Sequence, residues 1–363
     1  MMSCLDRIKV NLVTHEIFKN TTRLYLEMGK NPLYEQIFND NIEYIKKDIA
    51  NKNAEHFYKL FFASDFSLRE NRYRSLLLDS SVANNRSEQL YKNIVEIFNR
   101  IHVADVEQFN LDLGEINDLF TLMFNGVLSK EQLKYRKFGK KKGMFLSETK
   151  SMREELEKYL IQINSIAKER SIEPIFLYLN FMVDFMNMQI FDMPYNESLA
   201  ILIFYILMVE NHYQAANYLS FFQKLNYYKI DYEDILNKIK IQSAQGLPDL
   251  MPLMSFLINI FNGIYFELEE ISRNHQFDQN LEISKTDYVE NTINKLPEVF
   301  SKEDIRVKHP SISESTINRT LKRLSDENII RALGVGRNAK WVKIAKKQSK
   351  HKFEGQMNLD LGE

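Results

Sequence analysis

The sequence contains one cysteine, Cys4, among 363 residues. A single thiol cannot form an intrachain disulfide or a thiolate metal cluster, so disulfide-rich and cysteine–zinc classes are excluded. A chain of this length also buries enough apolar surface to fold without such cross-links. We therefore expect a protein of a reducing compartment, the cytoplasm.

Glycine and proline are scarce as well, at 11 and 7 residues. This scarcity disfavours glycine-rich nucleotide loops and sheet folds with many tight turns. Apolar residues instead recur at spacings of three and four, as in Leu90, Ile94 and Ile97, which is the period of a helix that buries one face. The predicted fold class is mainly α, and the very apolar stretch 174–209 is predicted to be a buried helical hairpin.

Long apolar runs and paired metal ligands are also missing. The longest apolar run, 199–209, has 11 residues, whereas a membrane-spanning helix needs about 20. None of the seven histidines has a histidine partner at the spacing that places two ligands on one helix face. We expect no membrane span, no metal and no bound cofactor.

Charge is distributed unevenly along the chain. Residues 301–350 hold 13 Lys and Arg against 5 Asp and Glu, whereas the remainder holds 35 against 44. The C-terminal region therefore has its own electrostatic character. The predicted organisation is an N-terminal helical extension over 1–70, a helical domain over 71–271, a polar linker over 272–285, a basic domain over 286–346 and a disordered tail over 347–363.

An ordered series of short features runs through the helical domain. The series comprises a helix at Ile116–Phe124, Tyr135 with Arg136, a hairpin at 137–147, Glu173 with Pro174, the segment QIFDMPYNESLA at Gln189–Ala200, and Tyr218-Leu219-Ser220. In their order and spacing these features resemble the Fic family, helical enzymes that transfer AMP from ATP to protein hydroxyl groups. The resemblance implies a Fic-like helical domain whose hairpin is the flap that holds target peptides. The alternative is an unrelated helical domain.

The same resemblance places the family's HPFxDGNGRxxR motif on 189–200, where little of its chemistry remains. Gln189 stands at the position of the family's general base, the residue that takes the proton of the target hydroxyl. An amide cannot accept a proton at neutral pH. Met193 stands at the position of the family's magnesium-binding carboxylate, and a thioether is a poor ligand for a hard cation. Phe191 is the one motif residue that keeps its identity, and hydrophobic packing alone would explain it.

The phosphate-binding part of the motif is altered too. Pro194 and Asn196 replace the glycines of the anion hole, and a proline has no N–H to offer. Glu197 and Ala200 replace the two arginines, so a negative charge stands where phosphate would be bound. Ser80–Asn85 resembles the family's inhibitory motif, with Asn84 in place of its glutamate. The sequence predicts a degenerate site without catalytic residues.

Residues 286–344 have the pattern of a winged helix, a variant of the helix-turn-helix. Three helices are predicted, followed by two short strands at 329–331 and 341–344 that enclose a glycine pair. The third helix begins after Ser313 and carries polar and basic residues away from its apolar face. The predicted DNA-binding residues are Ser315, Thr316, Asn318, Arg319, Lys322 and Arg323 on this helix and Arg337, Asn338 and Lys340 on the wing. Winged helices that only contact proteins are the alternative.

The tail ends in a short motif, QMNLDL, at 356–361. It resembles the hexapeptides with which bacterial replication proteins bind the sliding clamp. The residues that this resemblance places on the clamp are Gln356, Met357, Leu359 and Leu361. A second copy, QFNLDL at 108–113, precedes an apolar helix, and there Leu111 and Leu113 are expected to be core residues.

Together these features predict a catalytically inactive Fic-like protein that regulates by binding double-stranded DNA. Two alternatives stay open: a protein-interaction scaffold whose flap pairs with an extended partner segment, and a residual AMP transferase. A sliding clamp and a second copy of the chain are further expected partners.

Overall fold

The computed structural model of the chain describes residue 8 and residues 13–77, 81–103, 109–129, 131–142, 145–246, 248–280, 285–308, 312–334 and 339–344. At 138–142, 145–149, 276–280, 285 and 287 it describes the backbone alone. The chain forms two compact units, Met1–Arg273 and Asn274–Glu363.

The first unit is built from helices and one hairpin. Its helices up to the hairpin are α1 (His15–Met28), α2 (Asn31–Phe38), α3 (Ile42–Phe61), α4 (Glu70–Ser75), α5 (Arg86–His102) and α6 (Leu113–Phe124). The hairpin pairs β1 (Lys137–Lys142) with β2 (Phe145–Ser151) in antiparallel fashion. The helices that follow are α7 (Met152–Glu169), α8 (Pro174–Met188), α9 (Asn196–Glu210), α10 (Phe221–Tyr227), α11 (Lys229–Ala244) and α12 (Met251–Asn280).

Helices α8 and α9 are the centre of this unit, as the apolar stretch 174–209 predicts. Every residue from Ser198 to Met208 is buried. Helix α8 begins where Glu173 accepts a hydrogen bond from the Phe176 amide, with Pro174 in the first turn, where its missing N–H costs nothing. It ends at Gln189, whose φ of 49° lies in the left-handed region.

The predicted N-terminal extension shares its core with the rest of the first unit. The Phe57 ring of α3 packs edge to face against Phe98 of α5 and Phe222 of α10. Leu111 is buried and Leu113 is half-buried against the same core, as expected for the internal copy of the tail motif. Because these contacts join residues far apart in sequence, composition alone did not indicate them.

The segment predicted as a polar linker is helical as far as Asn280, since α12 continues through it. Of the polar residues described in this segment, Arg273 and Asn274 are exposed and Ser272 is buried. Within the described residues, Met251–His275 is also the one helix apolar and long enough to span a membrane, and half of that window is buried inside the fold.

A buried polar cluster ties α9 to three other elements. His102 of α5 is enclosed by Asn53 of α3, Tyr205 of α9 and Asn217. The His102 Nδ1 lies 3.0 Å from Asn217 Oδ1, an acceptor, which assigns the proton to Nδ1 and leaves Nε2 to accept from Tyr205 Oη at 2.9 Å. Burial lowers the pKa of His102 to about 4, so the ring is neutral.

This buried histidine makes stability depend on pH. The unfolded chain protonates His102 near pH 6.5 and the folded chain only near 4, so stability falls as pH falls between those values. We expect His102 to account for a loss of about 2 kcal/mol between pH 7.5 and pH 5. Urea unfolding of the natural chain and of His102→Gln at both pH values measures it, and an equal pH dependence of the two proteins would refute it.

The second unit combines three helices with a three-stranded sheet. Its elements in order are α13 (Lys285–Lys295), β3 (Val299–Ser301), α14 (Lys302–Lys308), α15 (Glu314–Asp326), β4 (Ile330–Ala332) and β5 (Lys340–Lys343). The strands lie in the order β3-β5-β4, with antiparallel pairing. The sequence indicated only the two C-terminal strands, because β3 is three residues long and is defined by its distant partner β5.

Candidate functional site

The first part of the segment that resembles the Fic motif, residues 189–196, connects α8 to α9 and is here called the motif loop. Gln189, which stands at the general base, is exposed, and its Nε2 donates to the Met186 carbonyl of its own helix at 2.7 Å. The side chain therefore caps α8. The side-chain amide at this position thus makes a structural hydrogen bond.

Asn196 closes the motif loop from inside. It is fully buried, and its Oδ1 accepts from the Phe191 amide at 2.9 Å. Its Nδ2 donates to the carbonyl oxygens of Phe191 and Met193 at 3.0 and 2.7 Å. The Asn196 side chain thus forms hydrogen bonds with one N–H and two carbonyl groups of the loop backbone. The family motif has a glycine at this position.

Phe191 packs inside the unit. Its ring stacks on Phe120 of α6 with centroids 3.7 Å apart and lies 5.0 Å from the Tyr135 ring. Backbone hydrogen bonds join residues 134–136 to residues 190–192: Arg136 N donates to Ile190 O at 2.9 Å and Asp192 N to Lys134 O at 3.1 Å. The motif loop and the base of the hairpin therefore form one hydrogen-bonded layer.

The remaining motif positions offer little to an anion or a metal. Glu197 pairs with Lys240 of α11, with Nζ and Oε2 2.7 Å apart, and Ala200 is fully buried. Met193 packs against the core, while Pro194 is exposed. In the described part of the chain no group of three or more His, Cys, Asp or Glu side chains is arranged to hold a metal ion.

Tyr195 fixes the end of the loop. Its ring packs against Phe62, Phe66 and Phe124, and its hydroxyl donates to Asp65 Oδ2 at 3.0 Å. Burial, together with the neighbouring carboxylate, raises the pKa of Tyr195 to about 12, so the hydroxyl stays protonated.

A partly buried ion pair that the sequence analysis did not predict lies at the start of α5. Both carboxylate oxygens of Glu88 accept from the Arg72 guanidinium at 2.7 Å, and Oε2 also accepts from the Asn84 amide at 2.8 Å. Arg72 holds the pKa of Glu88 below its usual range. The Asn85 side chain in turn accepts from the Glu88 amide and so caps the N-terminus of α5. The three-residue spacing of Asn85 and Glu88 was the signal in the sequence that could have indicated this helix start.

In the second unit α15 presents one apolar and one polar face. Ile317, Thr320, Leu321 and Leu324 are buried. The predicted DNA-binding residues on the other face are exposed at Ser315, Asn318, Arg319, Lys322 and Arg323 and half-buried at Thr316. Ser313 caps the helix by accepting from the Thr316 amide, as its position predicts.

The cations of α15 are not equivalent. The Arg323 guanidinium pairs with Glu290 of α13 and lies 3.7 Å from Glu327. Neither Arg319 nor Lys322 forms an ion pair with another described residue. Lys340 is exposed at the start of β5. The other predicted contacts, Arg337 and Asn338 on the wing and Gln356, Met357, Leu359 and Leu361 in the tail, lie outside the described residues.

The chain is similar to solved structures, of which one covers most of its length. That structure is of a Fic family protein from Desulfovibrio desulfuricans G20, which matches with a TM-score of 0.54 over 93% of this chain and 98% of that chain, at 14% sequence identity. No family model and no curated protein matches the sequence. The match confirms the predicted mainly helical, Fic-like fold, and at this identity it concerns the fold alone.

Proposed function

We propose that the chain is a catalytically inactive Fic-like protein that binds double-stranded DNA through its C-terminal unit and acts there as a regulator. The observation that carries the proposal is the exposed polar face of α15, with Asn318, Arg319 and Lys322 next to one another along the helix. Asparagine, arginine and lysine are side chains that contact base edges and phosphates in DNA grooves.

The architecture of the unit supports this proposal. Three helices followed by a hairpin, with a short strand after the first helix, are typical of winged helices, in which the third helix enters the major groove. Helix α15 is the third helix after the start of α13, and the sheet order β3-β5-β4 fits the winged-helix topology. The net positive charge of 301–350 supplies the electrostatic attraction that DNA binding requires.

Duplex binding at low salt tests the proposal. We expect the intact chain to bind mixed-sequence duplex DNA, and Arg319→Ala with Lys322→Ala to weaken that binding by about tenfold or more, since two cations are removed. Lys158→Ala with Lys229→Ala removes the same charge from helices of the first unit and should leave binding unchanged. Absence of binding by the natural chain, or equal losses in both double variants, would contradict the proposal.

The proposed inactivity follows from the motif loop. Transfer of AMP needs a base for the attacking hydroxyl, a metal-binding carboxylate and donors for the phosphates. The motif positions hold an amide at Gln189, a thioether at Met193 and, in α9, a carboxylate at Glu197. The Phe191 amide already donates to the Asn196 side chain. None of these groups performs the corresponding step.

We accordingly expect no adenylylation by the natural chain. Incubation with labelled ATP and Mg²⁺, alone and with a bacterial lysate, should give no transfer above that of a heat-denatured sample. Gln189→His tests the missing base alone and should remain inactive, because the phosphate donors are still absent. Transfer that disappears in Gln189→Ala or Glu197→Ala would contradict the claim and favour a residual transferase.

A protein-interaction scaffold is the second candidate, favoured by the hairpin. Among the described residues β1 and β2 pair only with each other, so each strand keeps one edge for an added strand. An extended partner segment would bind there. Under this alternative the chain captures a peptide and α15 contacts protein, so the low-salt duplex assay separates the two candidates.

A further inference from the structure

The hairpin of the first unit and its two flanks, residues 134–153, form a second basic segment of the chain. This segment contains eight Lys and Arg against one Glu. The remainder of residues 1–273 holds 24 Lys and Arg against 35 Asp and Glu. The positive charge of the first unit is therefore concentrated at the hairpin.

The base of the hairpin is fixed by backbone hydrogen bonds. The Arg136 amide donates to the Ile190 carbonyl and the Met152 amide to the Arg136 carbonyl, both at 2.9 Å. The Arg136 guanidinium also donates to the Met188 carbonyl at 2.5 Å. The two strands therefore start from a defined position next to the motif loop.

Four cations of the segment have exposed side chains in the described part of the chain, namely Lys134, Lys137, Lys150 and Arg153. None of the four forms an ion pair with another described residue. Most cations of a folded surface lie near a carboxylate, so four exposed cations without such a partner make this surface attractive to an anion.

The acidic residues beside the segment do not balance its charge. Glu131 and Glu154 adjoin it in sequence, and Asp192 is joined to it by the hydrogen bond from its amide to the Lys134 carbonyl. With these three residues and Glu148 included, eight cations stand against four carboxylates. The surface keeps a net positive charge.

The strand register places two of the exposed lysines on opposite faces of the hairpin. Lys137 is paired with Ser151, and Lys150 is paired with Phe138. Directly paired residues share a face, and successive residues of a strand alternate between faces. A partner that contacts both lysines must therefore border the hairpin on two sides.

We propose that the hairpin is a second contact surface for duplex DNA. The major groove admits a two-stranded β-ribbon and has a phosphate backbone on either side. Lys137 and Lys150 would contact phosphates of the two backbones, and Lys134 and Arg153 would add contacts at the base of the hairpin. Such contacts are independent of sequence. The proposal does not rest on DNA binding by α15.

Paired variants of the full-length chain test the hairpin in low-salt fluorescence anisotropy with a labelled duplex. Lys137→Gln with Lys150→Gln should weaken duplex binding by about tenfold, because two phosphate contacts are lost. Lys19→Gln with Lys238→Gln removes two exposed lysines from α1 and α11 and should leave binding unchanged. Unchanged affinity in the hairpin variant, or equal losses in both variants, would overturn the proposal.

The same assay separates this surface from α15. Loss of binding through Arg319→Ala with Lys322→Ala alone would support the function proposed above and overturn the role of the hairpin. Loss through the hairpin variant alone would do the reverse.

Labelled polyglutamate distinguishes DNA from an acidic protein segment. Such a segment would add to one edge of the hairpin and would not border both faces, so we expect polyglutamate to bind at least about tenfold more weakly than the duplex. Polyglutamate binding as tightly as the duplex, and lost in the hairpin variant, would overturn the assignment to DNA.

Discussion

Phe191→Ala should lower the free energy of unfolding by about 3–5 kcal/mol, the cost of truncating a buried phenylalanine. The expected loss is large because the ring is 2% exposed and stacks on Phe120, and because the same layer joins the motif loop to the hairpin. Removing the ring leaves a cavity between α6 and the loop that the backbone hydrogen bonds keep from collapsing.

Urea unfolding with a matched exposed phenylalanine provides the control. Phe18 of α1 is 65% exposed, so Phe18→Ala should change stability by less than about 0.5 kcal/mol. A loss below about 1 kcal/mol for Phe191→Ala would contradict the packing role, and Phe191 would then require another explanation for its presence in the motif.

Asn53→Ala should destabilise the chain by about 3 kcal/mol or more, because truncation leaves several buried polar groups without partners and each costs about 1–3 kcal/mol. The Asn53 Oδ1 accepts from the Ser220 hydroxyl at 2.8 Å and from the Phe222 amide at 3.1 Å. Its Nδ2 donates to the Tyr205 hydroxyl and the His102 ring. No other change of a single side chain in this buried cluster removes as many hydrogen bonds among the described residues.

An exposed asparagine controls for this effect. Asn20 donates a hydrogen bond to Asn259 at the surface, where water can replace the missing partner, so Asn20→Ala should cost less than about 1 kcal/mol. Thermal or urea unfolding of both variants measures the difference. Similar losses for the two variants would contradict the view that the buried polar cluster holds α3, α5, α9 and α10 together.

Several helices of the first unit could be predicted because their signals are local. Apolar spacing located α5 and α6, and Glu173 with Pro174 located the start of α8. The hairpin and the Fic-like fold followed from the order of several weak features. The helix over 272–280 could not be predicted, because a polar segment has the same composition whether it is a linker or part of a long helix such as α12.

The details of the site depended on contacts between distant residues. The sequence identified Asn196 as a departure from glycine, but its three hydrogen bonds within the loop are visible only in the fold. The pairing of Arg323 with Glu290 joins α15 to α13, and it separates this arginine from Arg319 and Lys322 as a candidate DNA contact. Helical periodicity places all three on an exposed surface and cannot distinguish them.

The salt dependence of duplex binding tests the central claim most directly. Fluorescence anisotropy of a labelled duplex, titrated with the natural chain at several salt concentrations, gives the slope of log affinity against log salt. We predict a steep negative slope for the natural chain. In Arg319→Ala with Lys322→Ala the slope should be shallower by about one for each phosphate that these two side chains neutralise. The same slope for the natural chain and this double variant would contradict DNA binding through α15.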